Sequence, residues 1–286
     1  MTGLRAAIAE ADRRLAAAGV PSPRHDAEQL AAHVLGVSRV GLLQHGEIDA
    51  EAYQRLVARR VRREPLQHIL GWAAFRHVEL AVGPGVFVPR PETEVVAGWA
   101  IDRAREVAST GRRPLVVDLC TGSGAIALSV ASEVPEAVVH AVELAPAALV
   151  WAGRNLAGST VVLHEGDAVV ALLELDGSVD VVVSNPPYIP DDGLVRDPEV
   201  LEHDPAEALW GGGPDGLDLM RGIAAAAGRL LRDGGWLVVE HADAQGESVP
   251  ALVAAGGGWA DVMDHHDLAG RDRFCTARRM EQVKTA

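Results

Sequence analysis

Residues 115–128 read Leu-Val-Val-Asp-Leu-Cys-Thr-Gly-Ser-Gly-Ala-Ile-Ala-Leu. The apolar start predicts a buried strand, and the glycines predict a tight turn that leads into a helix. Glycine at such a turn lets the backbone approach a ligand closely, and the helix that follows presents free N–H groups. The acid at Asp118 would repel a phosphate and suits a ligand that carries positive charge. We therefore predict a binding loop between a strand and a helix.

Apolar strands alternate with helical stretches from residue 114 onward. Strands separated by helices indicate a doubly wound, mainly parallel sheet with ligands beyond the carboxyl ends of its strands. The last two strands have little room for a helix between them, which predicts an antiparallel edge. The fold class is therefore α/β, a Rossmann-like seven-stranded and mostly parallel sheet. The predicted strands are Leu115–Leu119, Val138–Glu143, Thr160–Leu163, Val179–Ser184, Trp236–Glu240, Trp259–Met263 and Arg273–Ala277.

The first 75 residues differ from this pattern, because their apolar residues recur at the spacing of short helices. We predict a small helical bundle over residues 1–75, a β-hairpin or linker over 76–91, and an α/β domain over 92–286. Four arginines fall on one predicted helix that stops before Pro65. They are either a solvated helix face or a contact with an anionic partner. These arginines are Arg59, Arg60, Arg62 and Arg63.

Acidic residues stand at the next two strand ends. Glu143 closes the second strand, where an acid can hold both hydroxyls of a ribose. Asp167 follows the third strand and could accept a hydrogen bond from an adenine amino group. Each acid alone would most often be a helix cap or a solvated carboxylate. Together with Asp118 and the glycine loop, they describe a site for S-adenosylmethionine, whose sulfonium and amino groups are cationic.

The fourth strand ends in Ser184-Asn185-Pro186-Pro187-Tyr188. Two prolines remove backbone donors and stiffen the loop, so its carbonyl groups and the Asn185 side chain are left to accept hydrogen bonds. Two acceptors that hold the hydrogens of a planar NH2 group would position its nitrogen and favour its developing positive charge. Such a loop alone would be read only as a rigid turn. Beside the predicted cofactor site, it predicts methyl transfer to an amino or amide group.

The two motifs together resemble those of the amino-group methyltransferases that use S-adenosylmethionine. With residues 87–94, Phe-Val-Pro-Arg-Pro-Glu-Thr-Glu, the chain resembles one branch of them, the release factor glutamine methyltransferase family (HemK/PrmC). The resemblance covers nearly the whole chain, and it implies that residues 1–75 are a substrate-recognition domain and residues 92–286 the methyltransferase catalytic domain. It implies transfer of a methyl group to the side-chain amide nitrogen of the glutamine in the Gly-Gly-Gln motif of peptide chain release factors, with S-adenosylhomocysteine as the second product.

The resemblance also implies the site residues. The substrate amide would be held by the Asn-Pro-Pro-Tyr loop, Asn185, Pro186, Pro187 and Tyr188, with Asn185, Pro186 and Tyr188 catalytic. The cofactor would be bound by Asp118, Cys120, Thr121, Gly122, Ser123, Gly124, Glu143, Asp167, Ala168 and Asn185. The family commonly has Gly where Cys120 stands and Asp where Glu143 stands. We expect Glu143 to keep the contact with the ribose although the family commonly has Asp there. We expect Cys120 to contribute backbone contacts at most.

Charge bears on the choice of substrate. The chain holds 26 Lys and Arg against 40 acidic residues, a formal net charge of −14. Residues 1–78 carry +3 and residues 79–286 carry −17. Methyltransferases that act on adenine or guanine in nucleic acids share the Asn-Pro-Pro-aromatic loop and stay the alternative, but they must bind phosphate, which suits an acidic catalytic half badly. We expect a class 1 release factor as protein substrate and no direct contact with nucleic acid.

The acidic residues after Tyr188 are either a rim that steers a basic substrate or a solvated loop. They are Asp191, Asp192, Asp197, Glu199, Glu202, Asp204 and Glu207.

Composition predicts a cytoplasmic protein. Two cysteines cannot form a disulfide framework, and no apolar run approaches the roughly 18 residues of a membrane span. We expect a monomer with no membrane contact. His265 and His266, flanked by Asp264 and Asp267, could suggest a metal site. Adjacent residues in a strand point to opposite faces, so we predict no metal.

Overall fold

The computed structural model describes residues 2–195 and 197–281. It divides into two compact units. The helical unit comprises Met1–Ala73, Val82–Pro84 and Val195–His203, and the sheet unit comprises Ala74–Ala81, Gly85–Leu194 and Asp204–Ala286. The predicted domain boundaries at residues 75 and 91 stay a prediction.

The α-helices of the described residues are α1 (Leu4–Ala17), α2 (Pro23–Leu35), α3 (Ala50–Val61), α4 (Leu66–Leu70), α5 (Thr93–Ser109), α6 (Ala125–Glu133), α7 (Pro146–Leu156), α8 (Pro198–His203), α9 (Asp218–Leu230) and α10 (Ser248–Ala255). The strands are β1 (Thr2–Gly3), β2 (Glu47–Ile48), β3 (Trp72–Phe75), β4 (Val78–Ala81), β5 (Leu115–Leu119), β6 (Val138–Glu143), β7 (Val162–Glu165), β8 (Val179–Ser184), β9 (Leu231–Glu240), β10 (Trp259–His266) and β11 (Asp272–Arg279). Among the helices described, none is both long and apolar enough to cross a membrane.

The helical unit forms its own core from the periodic apolar residues of α1 to α4. Tyr53 is fully buried there, and its hydroxyl donates to the carbonyl oxygen of Ala27 at 2.9 Å. Asp49 caps α3, since its Oδ1 accepts from the N–H groups of Glu51 at 3.0 Å and Ala52 at 3.1 Å. This satisfies two N–H groups that the start of a helix leaves without a partner.

The sheet unit contains a seven-stranded sheet in the order β10-β11-β9-β8-β5-β6-β7. The pairs among β9, β8, β5, β6 and β7 are parallel, whereas β11 runs antiparallel to both β9 and β10. The predicted fold class and the antiparallel edge are confirmed. β3 and β4 form a separate two-stranded sheet, of which β4 lies within the predicted hairpin region 76–91 and β3 directly precedes it.

Burial of both sheet faces explains why the central strands could be found from the sequence. All six residues of β8 are buried, as expected of a parallel strand covered on both sides. β7 begins at Val162, two residues later than predicted, and β9 begins at Leu231, five residues earlier. Gly234 and Gly235 lie inside β9, where a pair of glycines is more typical of a turn.

The strand order fixes where a ligand can bind. From β5 the chain continues to β6 and β7 on one side, and it then returns to β8 on the other side of β5. The loops after β5 and β8 therefore leave the sheet at its topological switch point. In open α/β sheets a crevice forms at this place, beyond the carboxyl ends of the strands.

Candidate active site

The loop after β5 has a backbone shape that glycine adopts most readily. Cys120, Gly122 and Gly124 have φ values of 61°, 59° and 84°, all in the left-handed region. A side chain at Gly124 would also be tight, because a Cβ there would lie 3.1 Å from Cγ of Leu156. The N–H of Thr121 donates to the carbonyl oxygen of Val142 at 3.0 Å and ties the loop to β6.

Cys120 departs from the family pattern at a position where its backbone is strained. A left-handed conformation costs a residue with a Cβ roughly 1–2 kcal/mol, which gives a physical reason for the glycine common there in the family it resembles. Burial raises the pKa of the Cys120 thiol far above its usual range. A neutral thiol is a poor nucleophile, as expected for a residue that contributes its backbone.

We expect Cys120→Gly to stabilise the protein by about 0–1.5 kcal/mol. The gain is the relieved strain, and it is reduced by the roughly 0.5–1 kcal/mol of extra conformational entropy that a glycine loses on folding. Equilibrium unfolding in urea measures the change. Gly124→Ala is the matched opposite change, since it adds a Cβ at positive φ in the same loop and should destabilise. A loss of more than 1 kcal/mol in Cys120→Gly would contradict this interpretation of the loop.

Asp118 lies at the end of β5 and has no exposed surface. Its Oδ2 accepts from the hydroxyl of Thr121 at 2.5 Å and from the N–H of Ala127 at 3.1 Å. Its Oδ1 has no hydrogen-bond partner among the residues the structure describes. Burial raises the pKa of this carboxyl to about 7. The side chain therefore fixes the loop from beneath.

Glu143 connects the end of β6 with the loop. Its Oε2 accepts from the N–H of Gly122 at 2.8 Å, and its Oε1 accepts from those of Leu144 at 2.9 Å and Ala145 at 2.8 Å. The carboxylate thus folds back onto the backbone that follows it and also holds the glycine loop. The departure from the family pattern thus retains an acid beside the glycine loop, in a fixed orientation.

Asp167 and Ala168 lie beyond the end of β7. The N–H of Gly166 donates to the carbonyl oxygen of Glu143 at 2.9 Å, so this turn lies beside the end of β6. Asp167 is exposed, and its Oδ1 accepts from the N–H of Val169 at 2.9 Å, while Ala168 is buried. The three predicted acids thus follow three neighbouring strands in the order β5, β6, β7.

The Asn-Pro-Pro-Tyr loop leaves β8 directly beside the glycine loop. Leu119 and Ser184 are register partners at the ends of β5 and β8, and the hydroxyl of Ser184 donates to the carbonyl oxygen of Leu119 at 2.6 Å. Pro186 and Pro187 are buried. Asn185, the next residue after Ser184, is therefore held close to the loop that begins at Cys120.

Backbone hydrogen bonds fix the far side of the same loop. The carbonyl oxygen of Tyr188 accepts from Nε2 of Gln245 at 2.9 Å, and that of Ile189 accepts from the N–H of Gly211 at 2.9 Å. The Gln245 side chain also donates to the carbonyl oxygen of Asp215 at 3.0 Å. Sequence analysis gave no role to Gln245, which follows β9 by five residues.

Two further side chains near the Asn-Pro-Pro-Tyr loop, Thr93 in the motif 87–94 and Glu240 at the end of a predicted strand, had no role assigned from the sequence. Nδ2 of Asn185 donates to Oγ1 of Thr93 at 3.2 Å. Glu240, the last residue of β9, is 2% exposed, and hydrogen bonding by the hydroxyls of Thr93 and Tyr188 lowers its pKa against the opposing effect of burial. Burial raises its pKa to about 7. The rule that singled out Glu143, an acid at the carboxyl end of a strand, would have found Glu240 as well.

The acidic segment after Tyr188 is not a free rim. Glu199 lies 2.8 Å from both Arg60 and Arg63, and Asp197 lies 3.3 Å from Arg63. Asp204 is buried and pairs with Arg90 at 2.5 Å. The charges of these acids are compensated within the chain, which reduces their attraction for a basic substrate, and the steering hypothesis stays a prediction. Asp192, Glu202 and Glu207 stay exposed.

The same contacts decide the interpretation of the arginine cluster. Arg60 is 4% exposed and bonds to Asp26 at 2.7 Å as well as to Glu199. The interpretation of the arginine cluster as a solvated helix face is therefore wrong for Arg60. The anionic partner of Arg60 and Arg63 is a segment of this same chain, residues 197–199 in the helical unit.

The histidine pair near the sheet edge is divided between two environments. Nε2 of His265 lies 2.8 Å from Oγ1 of Thr276, whereas His266 pairs with Asp272 at 2.9 Å. Asp264, His266 and Asp272 each bring one possible ligand atom within 4.8 Å of the others. Asp264 is also 2.7 Å from the buried His241. The absence of a metal stays a prediction.

Comparison with known proteins matches both parts of the chain. Residues 6–71 match the PrmC N-terminal domain, and residues 105–201 match the methyltransferase small domain. A release factor glutamine methyltransferase from Streptomyces coelicolor is 57% identical over 98% of this chain and 99% of its own length. One from Mycolicibacterium smegmatis is 51% identical over 98% and 99%.

A further relative carries a different name. The 4-amino-L-phenylalanine/4-methylamino-L-phenylalanine methyltransferase of Streptomyces pristinaespiralis is 42% identical over 90% of this chain and 89% of its own length. It is less similar than the two relatives above. Identity of this extent over nearly the full length, together with both domain matches, shows that the chain belongs to the release factor glutamine methyltransferase family.

Proposed function

We propose that this methyltransferase moves the methyl group of S-adenosylmethionine to the side-chain amide nitrogen of the glutamine in the Gly-Gly-Gln motif of class 1 release factors. The observation that carries the proposal is the adjacency of β5 and β8, which sets the Asn-Pro-Pro-Tyr loop beside the glycine loop. A donor site and an acceptor site for one methyl group would have to be neighbours in this way. Membership of the family supports the choice of substrate.

The polar groups of the proposed cofactor site fit S-adenosylmethionine. Its side chains are acceptors, with carboxylates at Asp118, Glu143 and Asp167. Oε1 of Glu143 already accepts two N–H groups, whereas Oε2 accepts one and keeps a lone pair to which a ribose hydroxyl can donate. Acceptors suit the hydroxyl and amino groups of the cofactor and its positive charge, and they would repel a phosphate.

We assign parts of the cofactor to residues accordingly. Residues 120–124 would surround the methionine part, Glu143 would bind the ribose, and Asp167 with Ala168 would border the adenine. S-adenosylmethionine supplies a methyl group made electrophilic by its sulfonium. Asp118 would hold the loop in place, as its bonds to Thr121 and Ala127 indicate.

The Asn-Pro-Pro-Tyr loop would bind and orient the substrate amide. Tyr188 and Ile189 already use their carbonyl oxygens within the protein, so we assign the two N–H groups of the substrate to Oδ1 of Asn185 and the carbonyl oxygen of Pro186. These acceptors fix the nitrogen and stabilise the positive charge that develops on it. Its proton becomes acidic as the new C–N bond forms, so no strong base is required before attack.

Two other substrates offer a comparable NH2 group. An arylamine is the substrate class in the name of the relative from Streptomyces pristinaespiralis, and a nucleic-acid base is the alternative from the sequence motif. The charge of −17 on residues 79–286 disfavours nucleic acid. The greater identity to enzymes named for release factors favours the protein substrate over the arylamine.

Isotope labelling decides among these substrates. The protein is incubated with S-adenosylmethionine carrying a deuterated methyl group, in parallel with a class 1 release factor, 4-amino-L-phenylalanine, DNA or RNA. Mass spectrometry is expected to place the label on the glutamine side chain of the Gly-Gly-Gln motif. A release factor with alanine at that glutamine is the matched control and should stay unlabelled. Label only on the arylamine or on nucleic acid would contradict the proposal. Monomeric state and cytoplasmic location stay predictions.

A further inference from the structure

The hydroxyl of Thr93 lies between two polar side chains of the site. Thr93 is the first residue of α5 and is 4% exposed. Its Oγ1 accepts from Nδ2 of Asn185 at 3.2 Å. The same hydroxyl lies close enough to Glu240 to lower the pKa of that carboxyl by hydrogen bonding. An ionised carboxylate only accepts hydrogen bonds, and a hydroxyl has a single proton. At a pH above the pKa of Glu240 its carboxylate is ionised, and the proton of Thr93 then points to Glu240.

This assignment leaves Thr93 with only lone pairs to offer Asn185. The side of the Asn185 amide that faces Thr93 must then be its NH2 group, because its oxygen would meet another acceptor. The oxygen and nitrogen of an amide are distinguished by their hydrogen-bond partners. Oδ1 of Asn185 is consequently directed away from Thr93 and is available to a donor from the substrate.

We propose that Thr93 and Glu240 are positioning residues that form a relay, Glu240 to Thr93 to Asn185, and so present Oδ1 of Asn185 to the substrate NH2 group. The inference rests on the proposed function and deepens it, because it states how the substrate acceptor is oriented. Neither residue touches the reacting atoms in this scheme.

Glu240 also contacts the other end of the same loop. The hydroxyl of Tyr188 is its second hydrogen-bond partner, and Arg273 and Glu92 are the charged groups that act on it most strongly. One carboxylate thus holds both Asn185, through Thr93, and Tyr188. The two residues that flank the prolines would be fixed by a common anchor.

The cost of burying Glu240 argues for such a role. Its Oε2 has no hydrogen-bond partner among the described residues. A buried carboxylate oxygen without a partner is unfavourable, and an apolar side chain at the end of β9 would avoid that cost. The acid supplies what an apolar residue lacks, an acceptor that fixes the direction of two hydroxyl groups.

The first test uses variants of Thr93 in the full-length protein. Thr93→Val keeps the shape of the side chain and removes the hydroxyl, and we expect kcat for methyl transfer to fall about tenfold or more, the order of a hydrogen bond in a preorganised site. The KM for S-adenosylmethionine should change less than threefold. Thr93→Ser restores the hydroxyl and should recover kcat to within about threefold. Thr110→Val, at the exposed far end of α5, is the matched control and should behave as wild type.

The second test is a double-mutant cycle with Glu240→Gln. Glutamine can donate as well as accept, so the hydroxyl of Thr93 can reverse and hold Asn185 by its oxygen. We expect Glu240→Gln alone to lower kcat. The double variant Thr93→Val/Glu240→Gln should be no slower than the slower of the two single variants, because both changes break the same relay. Glu247→Gln, an exposed glutamate, is the matched control.

Three outcomes separate the possibilities. If Thr93→Val keeps the wild-type kcat, or if the two effects multiply in the double variant, the relay is wrong. If Thr93→Ser is as slow as Thr93→Val although both bind cofactor normally, the hydroxyl is not the operative group. If the wild-type protein itself does not label the release factor, the proposed function is wrong, which is a separate result from a failure of the relay.

Discussion

Replacing Asn185 by alanine is expected to slow methyl transfer by about 10²- to 10³-fold, the effect of removing one preorganised hydrogen-bonding group at a developing charge. Alanine leaves no side-chain acceptor at the end of β8. It also leaves the NH2 group of the substrate free to rotate, so the nitrogen lone pair is no longer held in line with the methyl group. The glycine loop and its contacts with Asp118 and Glu143 do not involve the Asn185 side chain.

Binding and chemistry have to be measured separately to test this. Calorimetric titration with S-adenosylmethionine should give a Kd within about threefold of wild type, because the proposed cofactor contacts lie mainly on the loops after β5, β6 and β7. Single-turnover transfer from labelled cofactor to the release factor should show the loss. Asp192→Ala removes an exposed polar side chain seven residues further on and should transfer methyl at the wild-type rate. An Asn185→Ala rate near that of wild type would remove Asn185 from the mechanism.

The strands and loops of the site were predictable because their signals are local. β5, β6 and β8 were bounded correctly, since each is an apolar run that ends in a polar residue or a turn. The glycines of the loop after β5 predicted a tight turn, because glycine is favoured where the backbone has a positive φ, as Gly122 and Gly124 do. The mainly parallel sheet followed from the alternation of strand and helix, and its antiparallel edge followed from the short connection between the last two strands.

The contacts of Glu240 could not be read in the same way. Thr93, Asn185 and Glu240 come from three elements separated by 92 and 55 residues in the chain, and no local pattern states that their polar atoms meet. A buried acid at a strand end is a visible signal, but its partners are set by the packing of α5 and the loop after β8 against β9. The hydrogen-bond direction that the relay requires emerges only when all three side chains are placed.

Charge counting failed at the acidic segment for a related reason. A count over residues 191–207 treats each carboxylate as exposed, whereas Glu199 and Asp204 are engaged by Arg60, Arg63 and Arg90. The basic and acidic clusters were interpreted separately, as a possible surface for an anionic partner and a possible surface for a basic one. Part of the basic cluster in fact pairs with part of the acidic cluster inside the chain. An external anionic partner and an external basic partner were therefore both inferred from charges that neutralise each other.

Removing Arg60 is therefore expected to cost far more than removing a surface arginine. Arg60→Ala should lower the free energy of unfolding of the helical unit by about 3–5 kcal/mol, the range for breaking a buried ion pair on one side. Asp26 is 5% exposed and would remain in the core without its partner at 2.7 Å. Glu199 would lose one of its two arginines but would keep Arg63.

Arg55 on the same helix provides the matched control. Its partner Glu51 is exposed, with 86% of its side-chain surface accessible, and solvent weakens such a pair to a few tenths of a kcal/mol. Arg55→Ala should change the stability by less than about 0.5 kcal/mol. Urea unfolding followed by circular dichroism measures both variants, and amide hydrogen exchange should show faster exchange at residues 197–203 in Arg60→Ala alone.

The size of the Arg60 effect also tests the assignment of the acidic segment. If Arg60→Ala and Arg55→Ala lowered the free energy of unfolding by equally small amounts, the contacts of Arg60 with Asp26 and Glu199 would be those of a solvated surface. The acidic segment 191–207 would then be available to a basic substrate. If Asp26→Ala added to Arg60→Ala recovers part of the lost stability, the cost arises from the buried unpaired carboxylate rather than from lost packing. That recovery is the expected result, because Asp26 accepts a hydrogen bond directly from Nε of Arg60.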